Sequence, residues 1–302
     1  MRVNSPRANP PGPSDISGGT SARPPAVVPA PAVPSRNVPP GVRGLSSRRR
    51  GRLVLRRWWS TLAIVLLWQL IAALRLVPEV VLPGPSDLVV TALGMLGDGS
   101  LLHALLVSLA RVTAGSALGL LIGLTFGLLA GLSSLGEDII DRPLQALRTI
   151  PFTALAPLFI LWFGLGETPK ILLVAVATLI PTYLNTSAGV RGVDARLVEM
   201  ARAYNVRRAR IVYRVVLLGA LPSVLTGVRF ALGLAWVAVI IAETINASEG
   251  LGFLLTNART YVRTDIVMVC IAVYAGLGLF TDAIVRALES HLLRWRTPHR
   301  RN

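Results

Sequence analysis

The stretch GVDARLVEMARAYNVRRARIVYRVVLL, residues Gly192–Leu218, separates two long apolar runs. Within it Leu197, Met200, Ala201 and Tyr204 recur at helical spacing, and so do Ile211, Val212, Val215 and Val216. Between the two sets lies Asn205. Asparagine enters left-handed backbone more readily than most residues, so it can end one helix and let another begin. The pattern predicts two short amphipathic helices meeting at a bend on a membrane surface. With Arg191 just before it, the segment carries seven arginines.

The apolar runs on either side belong to a larger set. Hydrophobic residues fill 53% of 302 positions, mean hydropathy is +0.60 and only 15% of residues are charged. A soluble domain of this length carries about 25% charged residues, so the shortfall points to a chain that spends most of its length in lipid. Six spans are expected, near Ser60–Val77, Arg111–Gly131, Leu147–Phe163, Ile171–Val190, Leu221–Ile245 and Ile266–Leu288. Leu101–Ala110 reads as a separate amphipathic approach to the second span. Pro151 and Pro157 interrupt the third, which is expected to be kinked. The fold class is therefore all-α and polytopic, with residues 58–295 as the membrane domain and 192–218 as an internal surface loop.

Residues 1–57 are rich in Pro, Ser, Gly and Arg and lack apolar periodicity, which predicts a disordered basic tail. No small-residue cleavage site follows the first apolar run, so a removed signal peptide is not expected. Residues 296–302 form a second short tail. The net charge of +16 would suit nucleic acid in a soluble protein, but here the arginines sit at the ends of apolar runs. Arg48, Arg49, Arg50, Arg52, Arg56 and Arg57 abut Trp58 and Trp59, as in a helix entering the membrane from an anionic leaflet. Alternating the six spans places twenty-five basic residues on the side of the N-terminus and four on the other, with Arg111 and Arg229 left out as lying in or beside spans. The positive-inside rule then puts both termini in the cytoplasm.

The segment 192–218 resembles the coupling loop of ABC-importer permeases, in which a Glu-Ala-Ala run precedes a Gly and, further on, an apolar-x-Leu-Pro. Glu199, Met200 and Ala201 hold the Glu-Ala-Ala places, Asn205 holds the Gly place, and Val215 with Leu217 hold the apolar pair. Met200, Asn205 and Leu218 depart from the pattern. The run DRPLQALRTIPFTALAPLFILWFGLGETPKI at Asp141–Ile171 is similar to permeases of the sulfonate, taurine and nitrate importer group. The same is true of LPGPSDL at Leu82–Leu88, HALLVSLARV at His103–Val112, ALPSVLTGVRFALGLAWVAVIIAE at Ala220–Glu243, GLG at Gly250–Gly252 and LLRW at Leu292–Trp295. The resemblance implies a type I importer permease fold, MetI-like, acting as a homodimer in the plasma membrane. It also implies cytoplasmic ATPase subunits docked on Glu199, Met200, Ala201, Arg202, Asn205, Arg207 and Arg208, an external solute-binding protein, and a small anionic solute of sulfonate, taurine or nitrate type.

The remaining residues bound the chemistry. No Gly-x-x-x-x-Gly-Lys-Ser/Thr occurs, and the one lysine is Lys170, so no phosphate-cradling loop of that kind is present in this sequence. ATP is expected on the partner subunit, with no cofactor on this chain. No catalytic or metal site is expected: His103, His291 and His299 form no His-Glu-x-x-His motif, and Cys270 stands alone in an apolar run. Glu243, after a long apolar run, reads either as part of the translocation path or its outer gate, or as a helix-end carboxylate bonded to the backbone that follows. Asn185 and Thr178, with Thr186, either line a polar path or bond between helices. Arg229 reads as a structural ion pair or a snorkelling side chain, or else as an attractor for an anion. Asp282 and Arg286 are spaced as a local pair. Gly115, Gly119, Gly123, Gly127 and Gly131 make a small-residue stripe for close helix packing. Residues 250–260 are expected to form a short helix between the last two spans. The competing classes are an intramembrane hydrolase, which lacks a catalytic constellation, and an ion-driven transporter, which predicts internal repeats that are not found.

Overall fold

Proline and glycine set the helix boundaries of this chain. The computed structural model describes residues 47–294, with side chains from Trp59 onward. Ten helical elements follow one another: α1 Ser47–Ala73, α2 Pro85–Gly97, α3 Ser100–Leu132, α4 Ser134–Thr149, α5 Phe152–Phe163, α6 Glu167–Arg191, α7 Ala195–Ala203, α8 Arg208–Asn246, α9 Leu251–Thr260 and α10 Thr264–Leu292. No strand occurs among the described residues. Residues 56–294 form one compact unit.

Four helices, α3, α6, α8 and α10, are long and apolar enough to cross a membrane; α4 and α5 make a fifth span only if counted together. The expected first span falls on α1, in which Trp59–Ala73 is apolar. The expected tail boundary at residue 57 falls inside α1, while residues 1–46 and 295–302 lie outside the described residues.

Two boundaries differ from expectation. Leu101–Ala110 is not a separate approach segment but the first part of α3, a helix of 33 residues and about 50 Å. The chain turns at Gly99, in left-handed backbone at φ 77°, and nothing between Gly99 and Leu132 interrupts the helix. The third expected span, Leu147–Phe163, is broken rather than kinked: α4 and α5 meet at 81°. Ile150 takes extended backbone at φ −84°, ψ 122°, because the ring of Pro151 disfavours helical backbone in the residue before it.

The centre of the bundle is α6, which buries Leu173, Val174 and Tyr183 completely. Its packing on α3 is a seam of two four-residue stripes. A Cβ on Gly115 would lie 2.6 Å from Cβ of Val174, one on Gly127 2.6 Å from Cβ of Thr186, and one on Gly131 2.6 Å from Cβ of Val190. At Gly119 it would collide with Oγ1 of Thr178 and the carbonyl of Ala175, and at Gly123 it would come within 2.7 Å of the carbonyl of Leu179. The glycine stripe thus seats the β-branched row Val174, Thr178, Thr182, Thr186 and Val190, and the two backbones approach as small residues allow. On the other side of α6, Asn185 and Gly189 receive Gly227 and Ser223 of α8 in the same way.

Candidate functional site: an open surface, a buried ion cluster and a chamber

The segment 192–218 forms the expected first short helix and bend, but the second expected helix is not a separate short one: it is the start of the 39-residue α8. Asp194 caps α7, its Oδ1 accepting the Arg196 N–H at 2.9 Å. Asn205 ends it at φ 54°. There the N–H of Val206 donates to the carbonyl of Ala201 at 3.1 Å and that of Asn205 to the carbonyl of Arg202 at 2.9 Å, the paired closure that satisfies a helix C-terminus. Asparagine therefore does at this place what glycine ordinarily does. After the bend, Arg208 starts α8, which continues through one wider turn at Val212–Val216 into the long apolar part of the helix. Ile211 and Val216 are buried, and Val216 packs with Val190 and Ala220, so the second amphipathic helix is anchored to the bundle.

The first amphipathic helix is not covered. Leu197, Met200 and Tyr204 are 47%, 53% and 79% exposed. With Val206, Val215 and Leu218 they line an apolar groove of about 650 Å³ between α7 and the start of α8. Glu199, Arg202, Asn205, Arg207 and Arg208 are exposed around it, and Ala201 forms part of its floor. None of the charged residues in this segment makes an ion pair among the described residues.

At the other end of α8 the charges are paired, and all but the exposed Glu167 are buried. Glu243 is 1% exposed. Its carboxylate lies 2.7 and 2.9 Å from Oγ of Ser108, and accepts from Nη1 of Arg111 at 2.8 Å, the N–H of Gly252 at 2.8 Å and the hydroxyl of Tyr274 at 3.3 Å. Arg111, 4% exposed, also grips Glu167 with two parallel bonds of 2.6 and 2.7 Å and donates to the carbonyl of Glu249 at 2.6 Å. Lys170 adds a third donor to Glu167 at 2.9 Å. Two carboxylates face two cations, every charge has hydrogen-bonded partners, and the cluster ties α3, α6, α8, α9 and α10 together. This is the condition under which buried charge is tolerated.

The cluster also explains GLG at Gly250–Gly252. Gly250 sits at φ 112°, where a Cβ would be 2.6 Å from Oε1 of Glu243 and 2.7 Å from Nη1 of Arg111; on Gly252 it would be 2.6 Å from Cβ of Glu243. Only glycines let the α9 backbone close over the carboxylate. Sequence reasoning set Arg111 aside and did not single out Ser108 or Glu167. The signal was available: Ser108 and Arg111 are three residues apart on an apolar helix, and an ionisable residue inside a span needs a named partner.

The three residues expected on a polar path separate. Glu243 and Thr178 are enclosed between helices, Thr178 bonding back to the carbonyls of Val174 and Ala175 opposite Gly119. Asn185 alone borders a chamber, about 350 Å³ in the angle between α4 and α5, with walls from α6 and α8. Arg229 is ion-paired with Asp282 at 2.6 Å, and Asp282 also holds Arg286 at 2.8 Å, so the local pair expected on α10 extends across to α8. Among the described residues, no group of His, Cys, Asp and Glu is arranged to hold a metal ion.

Residues 119–294, from within α3 to the end of α10, match the family described as binding-protein-dependent transport system inner membrane component. The chain belongs to that family. As an inner membrane component with several apolar helices, it is a multi-pass membrane protein and a transport subunit rather than an enzyme. Its relatives include a protein of Escherichia coli K12 provisionally described as the aliphatic sulfonates transport permease SsuC, 44% identical over 238 residues, covering 79% of this chain and 90% of that one. The taurine transport system permease TauC of the same strain is 35% identical over 242 residues, 78% of this chain and 88% of its own. Among solved structures, an amino acid ABC transporter with histidines superposes with a TM-score of 0.56 at 18% identity, over 66% of this chain and 97% of that one. An inward-facing MetNI methionine ABC transporter gives 0.52 at 19%, over 62% and 95%. The inner membrane component therefore has the fold of an ABC-importer permease.

Proposed function

We propose that this chain is the translocating half of an ATP-driven importer for a small organic anion, worked by separate ATPase subunits docked in the α7–α8 groove. One observation carries the reading. The groove is apolar, ringed by unpaired charge, and built on the start of α8, so a push on α7 is delivered directly to a membrane-crossing helix. Glu199, Met200, Ala201, Arg202, Asn205, Arg207 and Arg208 are the contact residues we assign to the ATPase. Two copies of the chain would form the pathway, and a solute-binding protein would deliver to its outer mouth. The arginine bias of the sequence supports cytoplasmic termini, with the groove on the same side. The names of the relatives support a sulfonate, with taurine as one member of the class. Of the residues expected on the pathway we retain Asn185, and give Glu243 and Thr178 to the frame that holds it.

Closing of the ATPases on ATP would favour one arrangement of the α8 pair, and release of the solute the other; each ligand shifts the balance by its difference in affinity for the two states. Uptake by proteoliposomes holding the chain, the ATPase and the binding protein tests this. Uptake of a labelled alkanesulfonate should require internal ATP and survive collapse of ion gradients. Uptake that follows a proton or sodium gradient without ATP would overturn it.

A further inference from the structure

The chamber in the angle of α4 and α5 holds a group that no described residue neutralises. Its lining includes Arg148, Phe152, Pro181, Asn185, Phe230 and Leu234. Arg148 is its only charged residue, and neither a hydrogen bond nor an ion pair engages its side chain among the described residues. Arg111, Arg191, Arg229 and Arg286 have carboxylate partners, whereas Arg148 is exposed and, like Arg142 earlier on α4, has none among the described residues. Asn185 spends one N–H on the carbonyl of Pro181 at 2.8 Å and keeps its amide oxygen and second N–H uncommitted. The remaining wall is aromatic or aliphatic.

We infer that this chamber is a binding site for a small organic monoanion, with its charged head on Arg148 and Asn185 and its short apolar tail against Phe152, Phe230 and Leu234. A single guanidinium balances one negative charge and offers a planar fork suited to paired oxygens, as in a sulfonate or carboxylate. The rest of the lining would leave a doubly charged or wholly hydrophilic anion undercompensated. A volume of about 350 Å³ is in the range of pockets that take small organic ligands. The chamber lies at the 81° bend, lined by Arg148 and Ile150 before Pro151 and by Phe152 after it, together with Pro181 and Asn185 of α6. The inference rests on the anion-importer reading but adds the place, the charge and the residues.

The test uses thiol labelling, which needs no transport. Cys270 is the one native cysteine and is fully buried, so the unaltered chain serves as a blank. Phe230→Cys in the full chain, purified with its ATPase into phosphatidylcholine nanodiscs, is treated with 2-sulfonatoethyl methanethiosulfonate or with its trimethylammonium counterpart. The sulfonate reagent should react about 10-fold faster relative to the cationic one than at a cysteine placed on open surface at Leu135. Arg148→Gln should abolish that preference and Arg148→Lys should keep most of it, which separates loss of charge from loss of fold. Butanesulfonate should protect the cysteine and butylammonium should not. A preference unchanged by Arg148→Gln, or no protection by butanesulfonate, overturns the site. Protection supplied instead by phosphatidylglycerol in the nanodisc would make Arg148 a lipid-headgroup contact and also overturn it. Co-purification of the ATPase reports separately: if it persists while the labelling prediction fails, the importer reading stands and only this chamber assignment falls.

Discussion

The two ends of α8 handle polar and apolar groups in opposite ways. At Glu243 a carboxylate is wholly buried, and each of its oxygens is occupied by a donor from another helix. At the start of α8 Arg208, Arg210, Arg214 and Leu218 stand in the open beside the exposed Leu197, Met200 and Tyr204 of α7, and these arginines make no ion pair among the described residues. A sealed end resists being altered, because removing Arg111 strands Glu243 in a dry site. An open end costs the fold little to alter and has capacity left for another molecule. The difference suits the first to a frame and is the reason we propose the second as a docking surface.

The contrast is broken most severely at the sealed end. Arg111→Ala should destabilise the chain by about 3–5 kcal/mol by leaving Glu243 buried without its cation, seen as early thermal unfolding in detergent. Arg202→Ala at the open end should change the same melting curve very little. Equal losses at both positions would remove the distinction. Next comes the helix seam: Gly119→Ala drives a methyl group into Thr178 and the Ala175 carbonyl and should cost about 1–3 kcal/mol. Gly94→Ala on α2 meets nothing within 4 Å and should be neutral or stabilising by up to about 1 kcal/mol. Comparing the two melting shifts sharpens the reading, since a general preference for glycine would move both alike. Among the substitutions that remove a contact, the smallest loss is expected at Arg286→Gln. Its bond to Asp282 is half-exposed and Arg229 remains to hold the carboxylate, so a loss under about 1 kcal/mol is expected from chemical denaturation.

Much of this arrangement was legible before any coordinates. Periodicity around Asn205 gave the first helix, the bend and a helix after it, because a surface helix must show its apolar face in its spacing and a left-handed residue must interrupt it. The glycine stripe announced close packing, although only the structure pairs it with Val174, Thr178, Thr182, Thr186 and Val190. Thr178 looked like a path residue because a hydroxyl in a span reads the same whether it faces a passage or bonds back to its own helix. The break at Ile150 was foreshadowed by Pro151, but its size depends on what α4 and α5 pack against. The cluster of Arg111, Glu167 and Glu243 was hidden by distance along the chain: its members lie 56 and 132 positions apart, and no local pattern joins them. The ionisable residue inside an apolar run was the available clue, and it needed a partner search that periodicity does not provide.

The open groove on α7 and α8 is where we propose the ATPase docks. The direct measurement is recovery of the ATPase with the tagged full-length chain from its native membrane, comparing the unaltered chain with Met200→Asp. Met200 is half-exposed and lies in the groove, so the substitution should leave the melting temperature of the chain unchanged within error while ATPase recovery and ATP-driven uptake are lost. An ATPase that is still recovered in full with Met200→Asp, or none recovered with the unaltered chain, would contradict the account.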